Sequence, residues 1–302
     1  MKRLAQRKAN IESSKKKSRV FGILIKIIIP LLMVLSVVIY LKLSTKYWNG
    51  HDKMAFAFQN SSGIVGVTIL DPELGEETTL IIPGDTEIDV ARNYGTLKIK
   101  NVWQLSQNEN LGGSLLSQTI TDSFLFPTNL WSTTDLSNVW RFIFSGKGTN
   151  IGFGDRLSAG IFALRVSGID KTQIDLGQSQ FLHQQTLTDG TKGYVMSGPI
   201  SSRLTVYFSD NNFSDKNLKF SLTDATGKYG VADGVGQVLE VLGGKVVQVD
   251  KKAEDDSLDC RVFGQNSDAV NKIANLFSCK KIPGRSNFDL EMQMGAKFAK
   301  RF

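Results

Sequence analysis

The sequence predicts an α/β protein with one N-terminal transmembrane helix, an α/β domain and a small C-terminal α/β sandwich. Two observations support this: a long apolar run near the start, and strand-like segments that alternate with helix-like segments from residue 54 onward. The composition, 41% hydrophobic and 22% charged, is typical of folded chains and excludes a disordered or collagen-like protein. A chain of 302 residues has room for about two domains.

The apolar run Val20–Leu43 predicts the membrane span. Its 24 residues would extend about 36 Å as a helix, and a bilayer core requires about 20 such residues. A cleaved signal peptide would have a shorter apolar region and a small-residue cleavage site. We therefore expect an uncleaved single span.

The distribution of charge predicts the orientation of this span. Residues 1–42 contain ten Lys or Arg and one acid, whereas the other 260 residues contain 26 basic and 28 acidic side chains. Because Lys and Arg favour the cytoplasmic side, residues 1–19 form a cytoplasmic tail, residues 44–53 a tether, and the rest an extracytoplasmic part of a single-pass cell-membrane protein. Folded nucleic-acid-binding domains usually carry the basic patch themselves, so no nucleic-acid partner is expected. An alternative for the basic tail itself is contact with anionic lipid or nucleic acid.

Residues 54–209 read as one α/β domain. Apolar, partly β-branched segments predict strands at 55–58, 64–70 and 78–83, with a turn at 71–75 where Pro and Gly favour reversal. Helices are expected at 98–106 and 113–125, and at two positions where Asp135 and Asp155 would act as N-caps. The glycine-rich segments 145–154 and 188–198 are expected to be loops. A helix is expected at 199–209, and the polar residues 210–216 suggest a domain boundary.

Residues 217–302 predict the sandwich. Strands are expected at 218–223, 245–249, 260–263 and 288–294, and helices at 231–242 and 267–277. Strand–helix–strand repeated twice indicates helices packed on a small sheet.

The C-terminal segment resembles the LytR C-terminal domain of bacterial envelope proteins. The similarity lies in the strand and turn at 218–227, the helix start Gly230-Val231-Ala232, and the closing stretch 288–298, FDLEMQMGAKF. This resemblance implies a fold and carries no catalytic residues.

The preceding domain resembles a degenerate LytR-CpsA-Psr (LCP) domain. Residues 67–72 and 81–86 are similar to the family's strand–turn–strand lead into an Ile-Pro-Arg-Asp-Thr motif, and residues 98–100 to its Lys-Ile-Asn segment. The resemblance implies an enzyme that attaches glycopolymers from polyprenyl-pyrophosphate carriers to peptidoglycan with a divalent metal.

The departures from that motif weigh against catalysis. Gly84 replaces the phosphate-gripping Arg, residues 61–64 lack the family's acid, and Arg156 alone remains of an Arg-rich helix. A guanidinium grips phosphate with two parallel hydrogen bonds, and losing one oriented donor can cost about 2.7–4 kcal/mol in activation free energy. The main hypothesis is therefore a non-catalytic binding or assembly factor in cell-wall glycopolymer biogenesis. The alternatives are an LCP-type phosphotransferase and a purely structural, self-associating envelope subunit.

Candidate site residues follow from the resemblance. If the transferase hypothesis holds, Asp85 and Arg156 are the catalytic candidates, and Asp85 is also the metal candidate. The alternative roles are a turn-capping carboxylate for Asp85 and an exposed helix charge for Arg156. The expected ligand-binding residues are Thr86, Arg92, Lys98 and Asp155.

The expected cofactors depend on whether the protein is a binding protein or a phosphotransferase. No cofactor is expected for a binding protein, and Mg²⁺ is expected only for the phosphotransferase. The partners expected are the lipid bilayer and, beyond it, peptidoglycan, a polyprenyl-linked glycan carrier or other envelope proteins.

The cysteines and aromatic residues carry two further hypotheses. Cys260 and Cys279 lie in the exported part, where a disulfide is permitted; two reduced, buried thiols are the alternative. Large aromatic side chains favour core packing, and an apolar tunnel that opens beside Asp85 is the alternative. The aromatic candidates are Trp103, Phe124, Trp131, Trp140 and Phe142.

Overall fold

A computed structural model describes Ile29, Ser36, residues 47–198 and residues 202–302. The predicted membrane span, apart from those two isolated positions, lies outside the described residues. Among the residues described, no helix combines the length and the apolarity needed to cross a membrane. Residues Tyr47–Phe302 form one compact unit.

The strands of this unit are β1 (Met54–Gln59), β2 (Val65–Asp71), β3 (Glu76–Ile82), β4 (Glu87–Val90), β5 (Gly95–Lys98), β6 (Leu130–Ser132), β7 (Lys171–Asp175), β8 (Leu182–Thr186), β9 (Lys192–Met196), β10 (Lys219–Ala225), β11 (Lys245–Lys251), β12 (Cys260–Phe263), β13 (Lys280–Lys281) and β14 (Leu290–Gly295). The helices are α1 (Ile99–Asn108), α2 (Ser114–Phe124), α3 (Val139–Phe144), α4 (Phe153–Arg165), α5 (Ser202–Phe208), α6 (Asn211–Ser214), α7 (Val231–Val241), α8 (Ser267–Leu276) and α9 (Ala296–Ala299).

A five-stranded sheet in the order β6-β1-β2-β3-β7 organises the first half. Its centre is an antiparallel meander of β1, β2 and β3, whereas β6 and β7 pair in parallel at the two edges. The β2–β3 turn is stabilised by Asp71, whose carboxylate accepts the backbone N–H groups of Glu73 and Leu74. Every residue of β2 is buried, as expected for a central strand that is covered on both faces.

Each face of this sheet supports a separate hydrophobic cluster. Helices α1 and α2 cover one face, where Ile99 and Leu116 pack with Val67 of β2. Helices α3 and α4 cover the other face, where Phe142 and Ala159 pack with Phe56, Phe58 and Leu70 of β1 and β2. Since side chains alternate along a strand, these two sets of helices lie on opposite sides of the sheet.

The second sheet has the order β11-β10-β14-β12-β13 and contains both parallel and antiparallel pairs. Helices α7 and α8 pack on it through residues such as Val235 and Ile273, so this part is the mixed α/β structure that the sequence predicts. A disulfide joins Cys260 to Cys279, with Cα atoms 4.9 Å apart.

The structure corrects several local predictions. Residues 188–198 were expected to be a loop, but they contain β9, which forms a hairpin with β8. Asp155 does not cap α4, because the helix begins at Phe153 and its N-cap is Gly152. The helix expected after Asp135 is divided into a 3₁₀ turn, which Asp135 caps, and α3, which Asn138 caps.

Candidate functional site

The loop at residues 83–86, where the LCP-like motif lies, closes on itself. The backbone N–H and the hydroxyl of Thr86 both donate to the carbonyl of Pro83, at 2.9 and 2.6 Å. Thr86 is fully buried, and its carbonyl accepts the N–H of Ile99 at 2.8 Å. Thr86 therefore fixes the turn rather than facing a ligand.

Two lysines surround the carboxylate of Asp85. Lys100 Nζ lies 2.6 Å from Asp85 Oδ1 and Lys98 Nζ lies 4.0 Å from it. The Asp85 side chain remains 47% exposed. This arrangement makes the loop a mixed-charge surface in which Asp85 already has cationic partners.

Lys98 belongs mainly to the hairpin β8–β9. Its ammonium donates to Asp189 Oδ2 and to Thr191 Oγ1, both at 2.7 Å. The hydrogen bond with Asp189 raises the pKa of Lys98, and the bonds from Lys98 and Thr191 hold the pKa of Asp189 well below its usual range. Both groups are thus charged at neutral pH.

The surroundings of Gly84 and Arg92 show how this loop differs from the family's Ile-Pro-Arg-Asp-Thr motif. A Cβ on Gly84 would lie 3.2 Å from Lys100 Cβ, so the aliphatic stem of Lys100 covers the position of the family's Arg. Arg92 has a left-handed backbone with φ of 64°. Its Nε donates to Gln118 Oε1 on α2 at 2.8 Å, so the guanidinium is held at α2.

Asp155 and Arg156 lie on α4, on the opposite side of the sheet from residues 83–86. The Asp155 carboxylate is buried and accepts the backbone N–H of Trp48 at 3.1 Å and that of Tyr47 at 3.3 Å. Arg156 donates to the carbonyl of Ser145 and lies over the Phe153 ring, 5.9 Å from its centroid. Burial lowers the pKa of Arg156. The structure therefore does not bring Asp155 or Arg156 together with Asp85.

The aromatic candidates also separate. Phe124 packs with α1 and α2, whereas Phe142 packs with α3 and α4 across the sheet. Trp131 contacts Trp103 edge-on, with ring centroids 5.6 Å apart. Trp140 is 64% exposed. The hypothesised tunnel lined by Phe124, Trp131 and Phe142 beside Asp85 is therefore wrong.

A polar cavity of about 150 Å³ lies between α2 and the C-terminal end of α8, beside the last residues of the chain. Hydroxyl and amide side chains line it, together with the rings of Phe277 and Phe302 and the guanidinium of Arg301. Arg301 is held by Asp259, whose Oδ1 accepts from Nε at 2.9 Å. The polar lining residues are Ser114, Ser117, Gln118, Thr121, Thr128, Asn129, Asn150, Asn275 and Ser278.

Sequence reasoning missed this cavity because its lining comes from separate parts of the chain. The contact Asn129 Nδ2 to Asn275 O, 2.7 Å long, joins residues 146 positions apart. No local spacing reports such a contact. Within the part of the chain that the structure describes, no group of three or more His, Cys, Asp or Glu residues is arranged to hold a metal ion.

No family model and no curated protein matches the sequence. Solved structures of the LytR-CpsA-Psr family resemble the chain. TagT of Bacillus subtilis is 9% identical over 50% of this chain and 87% of that chain, with a TM-score of 0.37. The family protein YwtF (TagT) with bound octaprenyl pyrophosphate lipid is 12% identical over 50% and 87%, with a TM-score of 0.34.

A third solved structure, Lin1025 of Listeria innocua, is 12% identical over 51% of this chain and 93% of that chain, with a TM-score of 0.34. YwtF (TagT) belongs to the family that residues 67–72 and 81–86 of this chain resemble.

Proposed function

We propose that this chain is a membrane-anchored, extracytoplasmic envelope protein that binds a glycan and does not transfer phosphate-linked polymers. The observation that carries the proposal is the separation of the remaining transferase residues. Asp85 lies in the loop beside Lys98 and Lys100, whereas Arg156 is buried on the far side of the sheet. Pyrophosphate transfer requires cations converging on one group, and these residues do not converge.

The surroundings of Asp85 support the same proposal. A nearby ammonium group stabilises the carboxylate, and it also repels a second cation at that position. A divalent metal bound to Asp85 would lie close to the Lys100 ammonium, which is 2.6 Å from Oδ1. Arg156 likewise has its guanidinium engaged with Ser145 and Phe153.

The polar cavity supplies the binding site in this proposal. Hydroxyl and amide side chains both donate and accept hydrogen bonds, which suits the hydroxyl groups of a sugar, and aromatic rings such as Phe302 can pack on a sugar face. Its volume of about 150 Å³ lies below the roughly 300–1,000 Å³ of drug-sized ligand pockets. It therefore suits one unit of a longer polymer.

The experiment that tests this function is co-sedimentation of the detergent-solubilised full chain with peptidoglycan sacculi, and binding to lipid-linked precursors. Gln118→Ala removes an amide from the cavity lining. Losing one hydrogen bond of about 0.5–1.5 kcal/mol should weaken binding by roughly 2–10-fold. Gln104→Ala changes an exposed position on α1. It is the matched control and should bind as the native chain does. If the chain bound neither peptidoglycan nor lipid-linked precursors, the proposal would be refuted.

One observation favours the phosphotransferase alternative. Lys98 and Lys100 place two ammonium groups at the motif loop, and such a pair can attract phosphate. This alternative predicts Mg²⁺-dependent pyrophosphate release from an undecaprenyl or geranyl pyrophosphate analogue, with loss of the release in Asp85→Ala. We expect no turnover in either protein, and turnover that depends on Asp85 would establish the enzyme instead.

A further inference from the structure

Helices α3 and α4 expose large apolar side chains. Trp140 is 64% exposed and Phe144 is 68% exposed, and their rings are nearly parallel at 8° with centroids 6.3 Å apart. On α4, Leu164 is 55% exposed and Ile161 is 41% exposed. Contiguous exposed apolar groups of this kind mark contact with a partner or a membrane.

The two helices that carry these side chains pack closely. Gly160 of α4 faces α3, and a Cβ placed there would lie 2.5 Å from Ile143 Cδ1 and 3.1 Å from Val139 Cγ1. Trp140 and Phe144 are each one position after these contact residues, about 100° further round the helix. We call the set Trp140, Phe144, Ile161 and Leu164 the α3–α4 face.

The exposed charges within α3, α4 and the loop that joins them are positive. Residues 136–169 contain one acid, Asp155, and it is fully buried. Arg141, Lys147 and Arg165 are exposed in the same stretch. Helices that combine exposed aromatic or aliphatic residues with Lys and Arg bind the interface of anionic membranes.

The place where the N-terminal segment joins the folded unit indicates what covers the α3–α4 face. Tyr47 and Trp48 donate their backbone N–H groups to Asp155 in the first turn of α4, and the Trp48 ring contacts Phe162 of α4 edge-on at 5.8 Å. The apolar run of the sequence ends at Leu43. Four residues span at most about 14 Å, so a membrane entered at Leu43 would lie near α4.

We propose that the α3–α4 face lies on the outer surface of the bilayer, with Trp140 and Phe144 in the lipid interface and Arg141 and Lys147 among anionic headgroups. This inference rests on the membrane anchor of the proposed function. It adds a second attachment, which fixes the orientation of the folded part relative to the lipid. Trp side chains favour this interface because one part of the ring is apolar and the other is polar.

The test uses the full chain reconstituted in vesicles that contain anionic phospholipid with brominated acyl chains, which quench nearby tryptophan. Flotation first establishes that the chain is anchored. The Trp140 contribution is the emission difference between the native chain and Trp140→Phe, and we expect brominated lipid to remove most of it. Trp103→Phe is the control, because Trp103 lies on α1 against Trp131 and its contribution should be unaffected.

A charge variant distinguishes lipid contact from other causes of Trp140 quenching. Arg141→Glu combined with Lys147→Glu should reduce Trp140 quenching in anionic vesicles and leave the buried tryptophans unchanged. If the chain floats but Trp140 stays unquenched, the inference is overturned and the proposed anchor is retained. The same conclusion follows if Trp140 is covered by self-association that depends on protein concentration. A chain that does not float refutes the proposed anchor and this inference with it, whereas glycan binding is measured independently.

Discussion

At the scale of single residues, Asp122 shows how burial changes a titration. It lies on α2, where burial raises the pKa of its carboxyl to about 6, with a smaller contribution from Asp89 that Lys228 opposes. Because the folded state holds this proton more tightly than the unfolded state does, the free energy of unfolding is largest below the ordinary carboxyl pKa. It falls as the pH rises through about 6.

Asp122→Asn should remove this dependence. An amide does not ionise, so the variant avoids burying a charge, and at pH 7 it should be more stable than the native chain by about 2–3 kcal/mol at most. Urea unfolding of both proteins between pH 4 and pH 7.5 measures the difference. Equal slopes against pH in the two proteins would contradict the assignment.

Asp155 is a single residue whose role the sequence predicts wrongly. Asp155 fits the local preference of Asp for an N-cap, and a sequence window contains no other partner for it. Its actual partners, Tyr47 and Trp48, are 108 and 107 positions away. Long-range contacts of this kind decide where a charged side chain points, and local spacing does not encode them.

At the scale of elements, the hairpin β8–β9 is attached to the motif loop by two kinds of bond. Tyr194 donates its backbone N–H to the carbonyl of Asp85 at 3.1 Å, and Lys98 bonds to Asp189 and Thr191 in the hairpin turn. The exposed ion pair is screened by water, so its main effect is on where the turn lies.

Lys98→Gln should loosen this turn. Amide hydrogen exchange at residues 188–194 should become faster, whereas exchange in β1–β3 should remain the same. The pKa shifts keep the pair charged throughout the neutral range, so the effect should vanish only in strong acid, where Asp189 becomes protonated, or in strong base, where Lys98 loses its proton. Lys98→Arg keeps the charge and should protect the turn; equal exchange in native and Lys98→Gln proteins would show that the backbone bonds suffice.

The elements that the sequence predicted correctly share strong patterns. The strands β1 and β2 are mostly apolar and β3 is rich in β-branched residues, and α7 ends at Val241, just before the expected helix stop Gly243-Gly244. The hairpin β8–β9 escaped prediction because LHQQT in β8 is mostly exposed and polar, without the alternation that a half-buried strand shows.

At the scale of the whole molecule, Asp210 attaches the segment after α5 to the C-terminal half. This residue is 2% exposed, caps α6 through Asn212 N at 2.8 Å, and forms an ion pair with Lys272 of α8. Its backbone N–H also donates to Leu242 O at 3.0 Å. Residues 210–216, where polarity suggests a boundary, thus pack with the C-terminal half, and Asn211 and Asn212 connect them to Glu73 and Asp52 of the first half.

Asp210→Ala should destabilise the protein by roughly 3 kcal/mol, because it leaves a partly buried ammonium without its partner and α6 without its cap. Chemical unfolding of the full chain measures this loss. Asp215→Ala, an exposed acid five positions away, should change stability by less than about 0.5 kcal/mol. A similarly small effect for Asp210→Ala would show that apolar packing alone holds α6 in the C-terminal half.

The disulfide has a consequence for a chain that has been damaged. Cys260 and Cys279 enclose β12 and α8, and the segment contains exposed positions such as Asn271. If a wall-associated protease cleaved the backbone there, both fragments would remain covalently joined, and β14 would keep its place in the sheet. Outside the reducing cytoplasm, such an injury would leave the protein in one piece.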